Sequence, residues 1–225
     1  NQNFIDWKLY IIDDFSSDDS IKIINRYSDN RKIELISLKK NKGPSFCRNL
    51  GMRMSTNDFI AFIDSDDYWE EYKLKNQINF MKKDNIDFSF TDYIPFFQTG
   101  NKKKFLKETN IVDKLDFKSF CRNSSINTST MILKRKFINF IKFKNLKKLE
   151  DYVFKCDLLK MSDALKFKET SAYYRILRHG RSSNKIENIQ NLWFVNKKFN
   201  NLNFFENLIS VISISYNSLK KYGFK

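Results

Sequence analysis

Two aspartates separated by one residue follow one of the most apolar segments of the chain. Asp64 and Asp66 come directly after residues 59–63 (FIAFI), which predict a buried β-strand. Carboxylate oxygens this close together suit a hard divalent cation, Mg²⁺ or Mn²⁺, whose remaining coordination positions stay open for substrate phosphates. These aspartates could also have a purely structural role. Asp66 or Asp67 could cap a helix that begins near Glu70.

A second acidic pair ends the apolar segment at residues 8–13. Asp13 and Asp14 are followed by Ser16, in a stretch rich in residues that cap helices. A carboxylate at a strand end can also accept a hydrogen bond from a nucleobase N–H. Capping and ligand binding are compatible here, because the cap can hold the loop while an aspartate faces the crevice.

An arginine follows a glycine turn within the next predicted helix. Asn41 and Gly43 precede the helix, and Arg48 lies inside it. The start of a helix favours anions, and a guanidinium group can grip a phosphate with a fork of donors. The alternative is that Arg48 pairs with an aspartate at a strand end.

A third acidic pair, Glu150 and Asp151, falls in the first turn of a helix predicted over residues 149–161. Acidic residues there are favourable on helix-dipole grounds alone. The functional interpretation makes one of them a general base that takes a proton from an attacking hydroxyl. His179, the single histidine, is left outside the predicted site.

Strands and helices that alternate with short connections must position these side chains. This alternation predicts a mostly parallel sheet covered on both faces, with ligands at the carboxyl ends of its strands. The segment 96–118 predicts a loop with short elements. The predicted strands are 8–13, 33–38, 59–63, 86–91, 129–133 and 171–177, and the predicted helices are 20–27, 44–54, 70–83, 149–161, 186–199 and 204–221.

Composition narrows the class of protein. A chain of 225 residues with 41% hydrophobic residues can bury a sizeable core, and three widely spaced cysteines suggest neither a zinc site nor a disulfide framework. Reduced thiols and the lack of a membrane-spanning run predict a cytoplasmic protein. The net charge of +15 indicates either attraction to phosphate or a solvated lysine-rich surface.

The last predicted helix is amphipathic, and its apolar residues share one face: Phe205, Leu208, Ile209, Ile212, Tyr216 and Leu219. One interpretation is peripheral contact with the inner face of the membrane, and the other is packing on the domain or on a second subunit. We therefore divide the chain into a domain at residues 1–185 and a helical appendage at 186–225, and leave oligomerisation open.

Taken in order, the motifs resemble those of the family 2 glycosyltransferases. The matching segments are WKLYIIDDFSSDDS, NKGPSFCRNLGM, DFIAFIDSDDYW, SSINTSTMILKR, LEDYVF and YYRILRHGRSSNK. The resemblance covers nearly the whole chain, and six ordered motifs are far more specific than any one. It implies a Rossmann-like α/β/α sandwich of the GT-A type with helices at the carboxyl terminus.

The resemblance also implies a reaction and a role for each residue. The reaction is inverting transfer from a nucleotide-sugar, with UDP favoured, to a saccharide or lipid-linked acceptor in bacterial surface polysaccharide synthesis. Mn²⁺ or Mg²⁺ would bind mainly Asp66, with Asp64 assisting. Asp151 would be the base and Glu150 the alternative. The donor would contact Asp13, Asp14, Ser16, Asn41, Gly43, Arg48, Asp64 and Arg175, with Ser182 and Asn184 on the diphosphate or acceptor side.

The chain departs from the family pattern in two places. Family members normally begin with a strand and a helix, and Asn1-Gln2 resembles the end of that helix, so we expect the first strand to be absent. Some members carry a histidine where this chain has Leu177, so a metal-binding histidine is not predicted.

Three other functions compete with the transferase. A basic nucleic-acid-binding protein would not need aspartates at strand ends, which repel phosphate unless a metal intervenes. An aspartate-nucleophile phosphatase resembles Asp-x-Asp-x-Thr/Val after a strand, whereas Tyr68 occupies the fifth position here. An inactive transferase fragment is the third alternative. We therefore expect a nucleotide-sugar as partner and no nucleic acid.

Overall fold

The computed structural model describes residues 2–27, 29–177 and 185–222. Its strands are β1 (Leu9–Asp13), β2 (Ile33–Ser37), β3 (Phe59–Ala61), β4 (Tyr68–Trp69), β5 (Phe88–Thr91), β6 (Ile94–Thr99), β7 (Lys102–Phe105), β8 (Lys114–Leu115), β9 (Ile132–Lys134), β10 (Ala164–Phe167) and β11 (Ala172–Arg175). Its helices are α1 (Ser20–Asn25), α2 (Pro44–Met54), α3 (Lys73–Lys83), α4 (Phe117–Asn123), α5 (Glu150–Leu159), α6 (Lys185–Lys198) and α7 (Phe204–Tyr222). Two 3₁₀ helices, Thr128–Thr130 and Arg135–Asn139, flank β9.

The strands form three sheets. β1 and β2 pair in parallel, a five-stranded sheet has the order β3-β9-β5-β10-β8, and a four-stranded sheet has the order β4-β11-β6-β7. The α/β fold predicted from the sequence is confirmed. The expectation of a mostly parallel sheet is wrong, because within the described residues three strand pairings are parallel and five are antiparallel.

The antiparallel β9 is the reason for the mixed sheet, and it matters for the site. It lies between β3 and β5 and runs opposite to both. An antiparallel strand begins at the edge where its neighbours end. The 3₁₀ turn Thr128–Thr130, which leads into β9, therefore lies beside the end of β3, where Asp64 and Asp66 follow.

One large apolar core stabilises this arrangement. All four residues of β5 are buried, and α5 buries eight of its ten residues, as expected of elements covered on every side. The two carboxyl-terminal helices contribute Leu192, Val195 and Val211 to the same core. The division of the chain at residue 185 stays a prediction. The shared core shows that α6 and α7 pack on the part of the chain before that boundary.

The segment predicted as a loop holds more regular structure than expected. Residues 96–118 contain most of the hairpin β6–β7, together with β8 and the start of α4. Every residue of β7 is exposed, and its lysines give no apolar alternation to identify a strand. Sequence reasoning also missed β10.

Within the described residues, no helix combines the length and apolarity needed to cross a membrane.

A lysine is fully buried in the first turn of α3. The Nζ atom of Lys73 lies 2.6 Å from Oε1 of Gln77, 3.4 Å from the carbonyl oxygen of Thr130 and 4.7 Å from the centre of the Trp69 ring. These partners are uncharged, and burial lowers the pKa of Lys73 to about 7. The ammonium group therefore helps to fix the turn before β9 at a cost in stability.

We expect this cost to depend on pH. The folded pKa of Lys73 lies below the unfolded value of 10.5, so the unfolded chain binds more protons between the two values. The stability that Lys73 contributes therefore rises as pH increases above about 7. Chemical denaturation of wild type and of Lys73→Met should show the difference in unfolding free energy shifting in favour of wild type from about pH 7 to about pH 9.

Lys75→Met on the exposed side of α3 is the matched control, and it should leave the pH dependence of wild type unchanged. Parallel pH profiles for Lys73→Met and wild type would show that Lys73 keeps an ordinary pKa in the folded protein.

Candidate active site

The carboxyl end of β1 is closed by hydrogen bonds around Asp14. Its Oδ1 atom accepts the backbone N–H of Lys42 at 2.6 Å, and its Oδ2 atom accepts that of Gly43 at 2.8 Å. The side chain of Asn41 donates to the Asp14 carbonyl at 3.2 Å. The predicted residues Asp14, Asn41 and Gly43 therefore lie together, and Asp14 also has a structural part in the turn before α2.

Asp13 is the buried member of the same pair. Its Oδ2 atom accepts the backbone N–H of the exposed Ser16 at 3.3 Å. Phe15, between them, has a φ of 67°, a left-handed conformation that is uncommon for an aromatic residue. Backbone strain of this kind persists where the surroundings over-determine it, often at ligand sites.

Gly43 directs the chain into α2. Its φ of 83° with ψ of 162° is a conformation that side chains disfavour, and Pro44 then starts the helix with its preset φ. Asn49 fixes the helix laterally, since its side chain donates to the carbonyl of Phe143 at 2.8 Å and accepts that residue's N–H at 2.9 Å. These contacts place Arg48 at the centre of the acidic residues.

Arg48 joins two of the predicted acidic motifs. Its Nη2 atom lies 2.7 Å from Oδ1 of Asp64, and its Nη1 atom lies 3.5 Å from Oε1 of Glu150. Burial would lower the pKa of Arg48, but Asp64, Asp151 and Glu150 outweigh it and raise the pKa. The pairing with a strand-end aspartate, which the sequence left as an alternative, is therefore present in the structure.

The aspartates after β3 have distinct surroundings. Burial, together with the neighbouring Asp64, raises the pKa of Asp66. Asp67 does not cap α3, which begins later, at Lys73. Instead its carboxylate accepts the Ser129 hydroxyl at 2.6 Å and the backbone N–H of Arg175 at 2.9 Å. Burial, assisted by the negative charges nearby, raises the pKa of Asp67 to about 6.

Ser129 is the residue that fastens this acidic turn. While its hydroxyl donates to Asp67, the same Oγ atom accepts the backbone N–H of Asp64 at 3.0 Å. Its carbonyl accepts the Trp69 indole N–H at 2.7 Å. The side chain of Arg175 adds a bond from Nε to the carbonyl of Asp66 at 2.9 Å. Asp64 is thus held by Arg48 and Ser129, and Asp66 is held through its backbone by Arg175.

Asp151 lies on the opposite side of the same turn. Its Oδ2 atom is 2.8 Å from Nζ of the buried Lys155 and 3.4 Å from the hydroxyl of Thr128. The side chain of Asp151 is 37% exposed, whereas that of Glu150 is 7% exposed. Burial would raise the pKa of Asp151, but Lys155 outweighs it, with Arg48 adding to the effect, and holds the pKa at about 2.

The residue before this pair has a strained backbone. Leu149, at the start of α5, has a φ of 61°, and its side chain packs against the large core. A β-carbon at such a φ is disfavoured, so core packing must hold the left-handed turn in place. This turn fixes the direction in which Glu150 and Asp151 leave the helix start.

The carboxylates after β3 can supply part of the coordination of a divalent cation. Within the described part of the chain, no group of three or more His, Cys, Asp or Glu side chains is arranged around a common point for a metal. Mg²⁺ usually binds through one or two carboxylates together with substrate phosphates and water. Asp66 meets that requirement, because burial beside another carboxylate makes its negative charge costly without a cation.

The structure thus brings the predicted residues into two connected groups. One surrounds Asp14 at the start of α2, and the other joins Arg48, Asp64, Glu150 and Asp151 to the turn before β9. Arg175 also reaches the second group. Ser182, Asn184 and His179 lie outside the described residues.

Sequence reasoning missed four residues that hold the site together. They are Asp67, Thr128, Ser129 and Lys155. Three hydroxyl residues at 128–130 come directly before an apolar strand, and Lys155 stands four positions after Asp151, the spacing of a helical ion pair. Those two signals could have found them.

Comparison with known proteins points to one family. The sequence profile described as glycosyl transferase family 2 matches residues 1–140. An uncharacterised glycosyltransferase of Haemophilus influenzae is 31% identical over 99% of this chain and 88% of its own length. A putative teichuronic acid biosynthesis glycosyltransferase of Bacillus subtilis is 29% identical over 98% of this chain and 88% of its own.

Solved structures share the fold at lower identity. The Staphylococcus aureus TarS fragment 1–349 in complex with UDP-GlcNAc has a TM-score of 0.70 at 17% identity. The match covers 97% of this chain and 66% of that one, so this chain spans about two thirds of the solved protein. The GT-A type fold predicted from the motifs is therefore confirmed. With the profile match and the H. influenzae relative, these findings establish that the chain belongs to glycosyl transferase family 2.

Proposed function

We propose that this chain transfers a sugar from a nucleotide-sugar to a hydroxyl group of a saccharide or lipid-linked acceptor, with inversion at the anomeric carbon. The supporting observation is the partly buried Arg48, which contacts Asp64 after the end of β3 and Glu150 at the start of α5. Asp151 lies close enough to affect the pKa of Arg48. Carboxylates from separate elements therefore meet at the edge where ligands bind in α/β folds.

The names of related proteins support the choice of substrates. A relative from Escherichia coli, 31% identical over 86% of this chain, is a UDP-Glc:alpha-D-GlcNAc-diphosphoundecaprenol beta-1,3-glucosyltransferase. TarS has been solved with UDP-GlcNAc and with UDP. We infer a UDP-sugar as donor and a lipid-linked saccharide as acceptor. Synthesis of a bacterial surface polysaccharide on the cytoplasmic side of the membrane follows from that choice.

The donor would bind across the two groups of site residues. The nucleoside would lie against the turn formed by Asp13, Asp14 and Ser16, with Asn41 and Gly43 beside it. The diphosphate would extend toward Asp64 and Asp66. A divalent cation on these two carboxylates would act as a Lewis acid and neutralise charge on the departing diphosphate. Arg48 holds Asp64 in position for this task, and Arg175 holds the backbone of Asp66.

Asp151 would act as the general base. In the transfer step the acceptor oxygen bonds to the anomeric carbon while the bond from that carbon to the diphosphate oxygen breaks. The hydroxyl proton passes to the Asp151 carboxylate, and the nucleoside diphosphate leaves with the electron pair. Lys155 holds the carboxylate ionised at neutral pH. Glu150 is a weaker candidate, because it is more buried and directed at Arg48.

The direct test of this function is donor turnover. We expect the chain with Mn²⁺ to hydrolyse or transfer from at least one UDP-sugar in a panel of UDP-, GDP- and dTDP-sugars, read by release of the nucleoside diphosphate. Binding of UDP should be measurable by calorimetry. If the chain showed no UDP binding and no turnover of any donor in the panel, the proposal would be contradicted.

Removing the base should separate chemistry from binding. In Asp151→Asn the turnover number should fall by about 10²- to 10⁴-fold, the usual contribution of general-base catalysis. The dissociation constant for UDP should stay within about twofold, because Asp151 is placed on the acceptor side. Asp157→Asn in the same helix is the control and should retain wild-type turnover. Wild-type transfer by Asp151→Asn would exclude this residue as the base.

Removing the main metal ligand should abolish the response to cations. With UDP present, Mn²⁺ should raise the melting temperature of the wild-type protein, because the cation compensates carboxylates crowded after β3. Asp66→Asn should lose that rise and most of the activity. Asp58→Asn, an exposed aspartate before β3, should behave as wild type. Full activity after exhaustive chelation would show that no divalent cation is required.

A further inference from the structure

Helix α7 directs its polar residues inward. Asn207 and Ser210 are both buried and bond to the buried Asn196 of α6 at 3.1 and 2.8 Å. The side chain of Asn217 donates to the carbonyl of Arg122 in α4 at 3.2 Å. The face that packs on the protein therefore combines these amide and hydroxyl groups with Val211, which belongs to the apolar core.

The opposite side of α7 is apolar and exposed. Phe205 is 74% exposed, Ile212 59% and Tyr216 64%, and Leu208 and Ile209 are also exposed. Their spacing places them on one stripe, which we call the outer face of α7. Of the two interpretations drawn from the sequence, packing of this stripe on the domain is wrong, because these five residues are exposed while α7 packs on the domain through its other side.

Exposing a contiguous apolar stripe to water is unfavourable in free energy. Single exposed apolar residues are normal on protein surfaces, but a contiguous stripe rimmed by polar groups marks an interaction site. The buried side of α7 already satisfies its polar groups within the chain. The outer face is therefore the part of this helix that gains from a further partner.

The exposed charged side chains that the structure describes on α4 and α7 are three cations and one carboxylate, Glu206. Lys118 and Arg122 are exposed on α4, which packs against α7, and Lys220 is exposed at the far end of α7. Arg122 and Tyr216 line one shallow hollow. The chain as a whole carries a net charge of +15. An anionic surface would match this pattern of aromatic and aliphatic side chains beside cations.

A second copy of the chain matches it less well. In a two-fold symmetric dimer the same patch faces itself, so the three cations of one copy and the three of the other would share one interface. Like charges brought together in this way oppose association. Charge complementarity therefore favours an anionic lipid surface over self-association.

We propose that the outer face of α7 docks on an anionic membrane surface, with Lys118, Arg122 and Lys220 contacting lipid phosphates. Phe205, Ile212 and Tyr216 would enter the boundary between head groups and acyl chains, as the apolar side of an interfacial helix does. The docking itself does not depend on the proposed transferase activity. If that function holds, the contact would bring the active site to a lipid-linked acceptor.

Sedimentation with vesicles tests the proposal on the full chain. Wild type should sediment with vesicles of phosphatidylcholine containing about 30% phosphatidylglycerol and not with phosphatidylcholine alone. Phe205→Gln/Ile212→Gln should weaken binding at least about tenfold. Lys118→Gln/Arg122→Gln should weaken it about fivefold per cation removed.

Matched pairs control for general hydrophobicity and charge. Ile23→Gln/Phe140→Gln removes apolar side chains that are 51% and 74% exposed elsewhere, and Lys102→Gln/Lys104→Gln removes two exposed charges on β7. Both should bind as wild type. Failure of wild type to bind, or equal binding by Phe205→Gln/Ile212→Gln, would overturn the proposal.

Two further measurements separate the alternatives. If sedimentation velocity without vesicles shows a dimer that Phe205→Gln/Ile212→Gln converts to monomer, with vesicle binding unchanged, the face is a protein interface and the proposal fails. Donor hydrolysis in vesicle-free solution should be the same for wild type and this variant. Loss of membrane binding with intact hydrolysis would leave the proposed transferase function standing, and the reverse result would leave the docking surface standing.

Discussion

Crowded negative charge is the constraint on which the site depends. Asp64, Asp66 and Asp67 follow one strand within four residues, and Glu150 and Asp151 approach from α5. Burial, with the like charges nearby adding to it, raises the pKa values of Asp66 and Asp67. Arg48 and Lys155 compensate part of this charge. The remainder is what a cation and a donor diphosphate would meet.

The turn before β9 contacts both groups of carboxylates, those after β3 and the one on α5. Ser129 binds the aspartates after β3, and its neighbour Thr128 reaches Asp151. The side chains of Lys73 and Gln77, on α3, donate hydrogen bonds to the carbonyl of Thr130 in the same turn. The carboxylates that we propose for the donor side and for the acceptor side are therefore positioned by one short segment. A disturbance of that segment would be felt on both sides.

The sequence predicted the strand-end aspartates and α2 well, because each depends on local signals. Apolar runs that stop at aspartates mark the ends of β1 and β3, and Gly43-Pro44 marks the start of α2. Ordered motifs then gave the family. These signals are carried by neighbouring residues, so no knowledge of distant contacts was needed.

The parts that escaped prediction depend on contacts between distant residues. The direction of β9 is set by where the chain returns to the sheet, and no local pattern encodes that path. Asp67 resembled a helix cap until Ser129 and Arg175, both far along the chain, supplied its partners. The outer face of α7 had the expected apolar pattern, but the sequence could not tell which side of the helix the protein would bury.

The left-handed Leu149 has a consequence for the acidic pair that follows it. Consecutive residues of a helix project about 100° apart, so two adjacent carboxylates cannot share one direction. The turn at Leu149 sets the rotation of the first helical residues, so that Glu150 faces the interior guanidinium and Asp151 keeps access to solvent. Helical geometry thus gives two chemically similar neighbours different surroundings: Glu150 contacts Arg48, and Asp151 stays open to solvent, as the proposed base requires.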